Sequence, residues 1–193
     1  MQNNPTTYID PTAIIDEGAQ IGEDSKIWHF SHIMDSARIG NKCSIGQGCF
    51  VAGILGSGCK LQNNVNVYEG VTLGNNVFCG PNMTFTNDLN PRAEYPKKGN
   101  YTSTIVKDGV TFGAQVVVIC GVTIGNYALI GAGSVITKDV PNYALIYGNP
   151  GTIRGWVSEH GEPLDFDDEG VAVCKKSGEN YRLDDGIVTK ILN

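Results

Sequence analysis

Aliphatic residues return at every sixth position from the start of the chain: Ile9, Ile15, Ile21, Ile27, Ile33, Ile39, Ile45 and Val51. The phase slips once and resumes at Leu55, Leu61, Val67, Leu73, Cys79 and Phe85. After a long aperiodic stretch it returns at Val106, Phe112, Val118, Ile124, Ile130 and Ile136. None of these twenty positions is charged or carries an amide. An α-helix cannot keep such a stripe on one face, because six residues turn it through roughly 600°. A short strand followed by a turn can: the periodic residue points inward and its neighbours outward. The residue two before each inward position is small or β-branched, as at Thr7, Ala13, Ser25 and Cys43, with Met83 the exception. Three such units close a triangular coil of about 18 residues, and ladder hydrogen bonds stack the coils about 4.8 Å apart.

This pattern resembles the hexapeptide signature of left-handed parallel β-helices over roughly residues 9–150. The left hand is implied by the resemblance, since the usual crossover rule favours the right. The expected fold is therefore all-β: a left-handed β-helix over 1–150, interrupted by a loop at about 86–105, with a cap and appendage over 151–193. A coil's backbone groups pair only with the coils above and below, so the solenoid needs its ends covered. The segment around Arg154, Trp156 and Val157 is expected to form a short capping helix. Residues 171–191 read as a β-hairpin, with Asp184-Asp185-Gly186 as its turn.

Glycine is abundant at 25 of 193 residues, and Asp plus Glu exceed Lys plus Arg by 20 to 14. A net charge of -6 argues against general nucleic-acid or anionic-membrane binding. The opening Met1-Gln2-Asn3-Asn4-Pro5 lacks the basic and apolar regions of a secretory signal, and no apolar run approaches the ~18 residues that span a bilayer. A cytoplasmic location is the expectation. The six cysteines contain no CxxC pair. Cys43, Cys49 and Cys59 fall on the small corner sites and Cys79 on an inward one, which makes them core fillers. The single cysteine of the C-K-K-S-G run cannot hold zinc.

The aperiodic stretch at 86–105 leaves directly after an inward residue, and a long loop on a rigid solenoid points to function. It carries Asn87, Asp88, Arg92, Glu94, Tyr95 and Lys97. Residues 18 apart stack, so Asn87 is expected above Glu69, Thr86 above Tyr68 and Thr84 above Asn66. Lys60, Gln62, Asn66 and Tyr68 are expected to point outward beneath the loop's root and to form one wall of a pocket. The W-H-F-S-H run places His29 and His32 on an outward surface low on the solenoid, suited to a subunit contact or to the nucleotide end of a substrate.

The strings I-W-H-F-S-H-I, L-Q-N-N-V-N-V-Y-E-G-V, F-C-G-P-N-M-T-F-T-N-D-L-N-P-R-A and I-G-A-G-S-V-I-T-K-D-V-P resemble the bacterial nucleotide-linked 3-amino-sugar N-acetyltransferases. The nearest likeness is to the UDP-2-acetamido-3-amino-2,3-dideoxy-glucuronate N-acetyltransferases of O-antigen synthesis. It extends through G-W-V-S-E-H-G-E and A-V-C-K-K-S-G in the appendage. The resemblance implies a homotrimer with active sites between subunits, acetyl-CoA as acetyl donor and a UDP-amino sugar as acceptor. Pantetheine would meet Gly113, Ala114, Gly131 and Ala132, with Lys138 or Arg154 near phosphate. At 148–154 the chain departs from the family's pattern: Gly151 and Thr152 replace a small-then-basic pair. Some hexapeptide-repeat proteins hold zinc on three converging histidines; the spacing of His29, His32 and His160 does not suggest convergence, and no metal is expected.

No histidine lies between His32 and His160 to act as a base near the loop. A neutral amine needs none to attack a thioester, and loses its proton only afterwards. Asn87 is the candidate catalytic residue: its side-chain oxygen would accept an N–H bond and aim the amine's lone pair. A backbone N–H near Gly113 would stabilise the oxyanion. Thr86, Asp88, Glu69 and Arg92 complete the candidate substrate contacts. Glu69 or Asp88 as a true base is the rival mechanism, and an Asx-turn opening the loop is the structural alternative for Asn87. A dTDP-3-amino-3,6-dideoxyhexose acceptor and a non-catalytic β-helix scaffold are the competing functions.

Overall fold

The computed structural model describes residues 6–97 and 99–191; the Met1–Pro5 stretch weighed for a signal lies outside them. Strands mostly two residues long follow the six-residue ruler, beginning with Tyr8–Ile9, Ile14–Ile15 and Gln20–Ile21. Each pairs in parallel with the strand one coil later: Ile9 with Ile27, Ile15 with Ile33, Ile21 with Ile39. The result is three sheets, the faces of a triangular prism. The first carries Tyr8, Lys26, Ser44, Lys60 and Phe78 outward, the second His32, Phe50, Asn66 and Thr84, the third Arg38, Ile54 and Thr72. The fold is a left-handed parallel β-helix.

The inward positions from Ile27 to Ile136 are buried and form one continuous core. Removing such side chains from water contributes about 1.5–3 kcal/mol each. Ile9, Ile15 and Ile21, in the first coil, are only half-buried because no coil lies beneath them among the described residues. Most corners depend on a second stripe, three residues before the inward position. There the backbone turns left-handed, at Asp24, Asn64, Asn76 and Asn82 with φ of 56–60°, where Asn and Asp are tolerated better than most side chains.

The phase slip is a shortened coil: Ile54 pairs with Arg38 only 16 residues earlier. The loop is a pure insertion. Thr84 pairs with Val117 and Leu73 with Val106, each 33 residues on, so the ladder resumes in register.

The expected capping helix is absent. Thr152–Trp156 is a strand, antiparallel to Ala144–Tyr147 on the edge of the first sheet. The last ladder strand leaves unpaired donors and acceptors, which an extended, partly β-branched segment satisfies and a helix would not. The appendage has three strands, Val171–Val173, Asn180–Asp184 and Ile187–Lys190. The expected first strand is split by a turn over the C-K-K-S-G run, and Asp185 and Gly186 make the second turn with positive φ. A second apolar cluster, with Tyr143, Leu164, Cys174 and Tyr181, joins this sheet to the end of the prism.

Candidate active site

The loop leaves from the edge between the second and third faces, and three hydrogen bonds from backbone N–H groups tie down its root. The Thr102 N–H donates to the Asn87 carbonyl (2.9 Å), the Thr104 N–H to the Gly70 carbonyl (3.0 Å), and the Cys120 N–H to Thr86 Oγ1 (2.9 Å). Asn87 stands over Glu69, as the 18-residue spacing predicts, and its Nδ2 donates to the Glu69 carbonyl at 3.3 Å. Because a carbonyl can only accept, this bond assigns the amide's orientation, with Nδ2 and not Oδ1 at the Glu69 carbonyl. Asn87, Glu69, Asp35 and Ser36 are the polar members of a cleft of about 400 Å³. Met34, Phe50, Ala52, Tyr68 and Tyr101 supply its apolar wall.

His32, Phe50 and Tyr68 form an aromatic row beside the cleft, His32 edge-on to Phe50 at 5.7 Å and Phe50 at 5.3 Å from Tyr68. Asn66 donates to Thr84 Oγ1 at 3.2 Å, one coil up. Asp35, Phe50 and Tyr101 were not singled out from the sequence. Phe50 was legible as an aromatic at an outward strand position, whereas Asp35 and Tyr101 reach the cleft only through the corner and the loop.

Asp88 is committed elsewhere. Its Oδ1 receives Lys97 Nζ at 2.7 Å and the Asn90 N–H at 2.9 Å. The Lys97 bond, helped by the backbone N–H, holds the Asp88 carboxyl below the ordinary carboxylate range. The Asx-type turn that opens the loop therefore belongs to Asp88, which makes it a poor proton acceptor. Arg92 is exposed in the turn closed by the Tyr95 N–H to Arg92 carbonyl bond, and it does not line the cleft.

The expected single wall divides in two. Asn66, Tyr68 and Glu69 lie on the second face and its far edge, but Lys60 projects from the first face. Gln62 belongs to a separate cleft of about 240 Å³ with Trp28, His29 and Gln47. At six residues per side, the 60–69 stretch turns a corner, so one run of sequence supplies two surfaces. The histidines stand apart in three pairings, His29 with Asp10 (3.2 Å), His32 with Asp16 (3.0 Å) and His160 near Glu179 (4.0 Å). Among the described residues no group of three or more His, Cys, Asp or Glu is arranged to hold a metal.

The residues expected around pantetheine also separate. Lys138 lies on the Asn87 edge two coils higher, since Val117–Val118 pairs with both Thr84–Phe85 and Val135–Ile136. It lines a small cleft of about 170 Å³ with Gly151 and Ile153. Gly113, Ala114, Gly131 and Ala132 follow first-face strands and so sit on a different edge. A Cβ on Gly113 would meet Ala132 N at 2.5 Å, and one on Gly131 would collide with the Tyr147 ring. At these glycines the missing side chain makes room for the chain's own next coil. The Gly113 N–H itself donates to the Ile130 carbonyl at 2.8 Å. Arg154 is exposed on the antiparallel strand and outside the Lys138 cleft.

A family model described as bacterial transferase hexapeptide (six repeats) matches residues 18–53 and 103–138. A dTDP-3-amino-3,6-dideoxy-alpha-D-galactopyranose 3-N-acetyltransferase from Aneurinibacillus thermoaerophilus is 45% identical over 94 residues, 48% of this chain and 47% of that protein. A galactoside O-acetyltransferase from Lactococcus lactis subsp. lactis is 30% identical over 125 residues, 58% of this chain and 60% of that protein. The chain thus spans about half the length of the curated relatives it matches. Among solved structures, PerB from Caulobacter crescentus, in complex with CoA and GDP-perosamine, has a TM-score of 0.51 at 24% identity. That match covers 78% of this chain and 57% of PerB. The likeness shows the fold.

Proposed function

Starting from a hexapeptide-repeat chain with a left-handed β-helix, we propose that the protein is an acetyl-CoA-dependent N-acetyltransferase acting on the C3 amine of a nucleotide-linked amino sugar. The observation that carries this reading is Asn87, a neutral amide held by the Glu69 carbonyl and lining an open cleft. The 45% identical relative, a 3-amino-sugar N-acetyltransferase, supports the chemistry.

In this reading the sugar enters with its amine toward Asn87, and Oδ1 accepts one amine N–H, which points the lone pair at the thioester carbonyl. The C–N bond forms, the tetrahedral intermediate collapses with loss of the CoA thiolate, and the amine proton leaves to water or to that sulfur. Holding the two reactants in line supplies much of the acceleration. Asp88, already paired with Lys97, takes no part as a base. CoA approaches from the Lys138 end of the Asn87 edge, and a homotrimer in the cytoplasm, with sites between subunits, completes the proposal. The acyltransferase unit is 1–150, capped by 151–193.

The sequence strings favour UDP-2-acetamido-3-amino-2,3-dideoxy-glucuronate as acceptor and a role in O-antigen sugar synthesis. The curated relative favours a dTDP-3-amino-3,6-dideoxyhexose instead. Thiol release from acetyl-CoA, measured across UDP- and dTDP-linked 3-amino sugars, tests both. Release with one of them is the expected result; no release with any, and no acetyl-CoA binding, would return the chain to a scaffold.

A further inference from the structure

The second cleft is a built site. Its platform is Trp28, lying parallel to His29 (13° between planes, centroids 6.3 Å apart) and backed by Tyr8 at 5.2 Å. The two rings flanking Trp28 are bonded to one carboxylate. Asp10, only 5% exposed, receives the Tyr8 hydroxyl at 3.0 Å and His29 Nε2 at 3.2 Å on the same oxygen. Its other oxygen takes the Thr12 hydroxyl at 2.6 Å and the Thr12 N–H at 3.0 Å. A buried, fully bonded carboxylate holding an aromatic group in place is the mark of pre-organisation.

The remaining lining is neutral: Ser44, Gln47, Gln62 and Asn63 around Gly46 and Leu61. Amide side chains offer both donors and acceptors, the complement of a nucleobase edge, and an indole face stacks on a base. Lys60 pairs directly with Ser44 in the ladder and so borders the cleft with a positive charge, suited to phosphate. The cleft lies low on the prism on the edge after the first face, whereas Asn87 and Lys138 share the edge after the second, across that face from it and higher up.

We propose that this cleft binds the nucleobase of the sugar nucleotide, with Trp28 as stacking surface, Gln62 reading the base edge and Lys60 facing the diphosphate. The identity of the nucleotide's owner rests on the acetyltransferase reading, but the binding does not require turnover. CoA also carries a base, and its adenine is the competing occupant.

Calorimetric titration of the whole protein with UDP, dTDP and CoA, each alone, separates the cases. In wild type UDP or dTDP binds. Trp28→Ala is expected to weaken that binding about tenfold or more, the order of one lost base–aromatic stack, and Trp28→Phe to restore most of it. Gln62→Ala weakens it as well, while CoA affinity is unchanged in all three. Unchanged nucleotide affinity in Trp28→Ala, absence of UDP and dTDP binding to wild type, or loss of CoA binding in its place would each overturn the assignment. If nucleotide binds through Trp28 but no amino-sugar nucleotide releases thiol, the cleft assignment stands and the acetyltransferase reading falls.

Discussion

Asn87 donates its side-chain N–H to the carbonyl of Glu69, one coil below, at 3.3 Å. The bond uses the backbone of Glu69, not its carboxylate, so the two side chains are chemically independent. Asn87→Ala is expected to lower kcat by tenfold or more, the scale of a lost positioning contact. Glu69→Gln and Asp88→Asn should each retain substantial turnover, because neither removes the bond that orients the amide. Steady-state kinetics with saturating amine decides this; a collapse of kcat in either carboxylate variant restores the base mechanism.

Phe85 and Phe112 meet edge to face at 5.4 Å, both fully buried, beneath the loop's departure point. Phe85→Ala should cost about 3–5 kcal/mol, as large-to-small changes in packed cores do. Urea unfolding of the variant checks the figure, and a cost below 1 kcal/mol would mean the coil relaxes around the cavity.

Gly80 is needed for close stacking. A Cβ there would lie 2.5 Å from the Gly113 carbonyl carbon in the next coil. Rigid backbone cannot yield as a side chain does, so Gly80→Ala should destabilise the protein by about 1–3 kcal/mol. A thermal midpoint equal to wild type would show that the coils can shift.

Lys190 clamps the appendage, with Nζ at 2.9 Å from Glu159 Oε2 and 2.6 Å from Glu179 Oε1. Its bond to Glu179 holds that carboxyl below its ordinary 4.5. A depressed carboxylate contributes stability above its unfolded pKa and loses it as pH falls through the folded one. Glu179 and Glu159 push Lys190 above its ordinary 10.5, so that contribution is full below 10.5 and fades at higher pH. Hydrogen exchange of the Leu183 amide, compared between wild type and Lys190→Met at matched pH, should differ most at neutral pH. The difference should shrink below about pH 4.5.

Burial pushes the Cys49 thiol up to about 11 and also raises Cys79. Both should resist thiol reagents at pH 8 in the native protein and react once denaturant opens the coils. Mass-spectrometric mapping of labelled cysteines would show it; fast native labelling of either would contradict their burial.

The six-residue stripe of Ile, Val and Leu determined the prism from sequence alone, because burial repeats with the same period as the chain's corners. Even the stacking of Asn87 over Glu69 and Asn66 under Thr84 followed, since one coil is a fixed number of residues. The cap did not follow: Thr152–Trp156 became a strand because the last sheet edge needed partners, a demand invisible in the local sequence. Nor did the division of Lys60 and Gln62 from Tyr68 and Glu69, which a corner separates. Trp28 and His29 meet Tyr8 and Asp10 only when the first two coils stack. Periodic burial is written locally, whereas a cleft is assembled by side chains from different coils and edges, and only the folded chain decides which of them face one another.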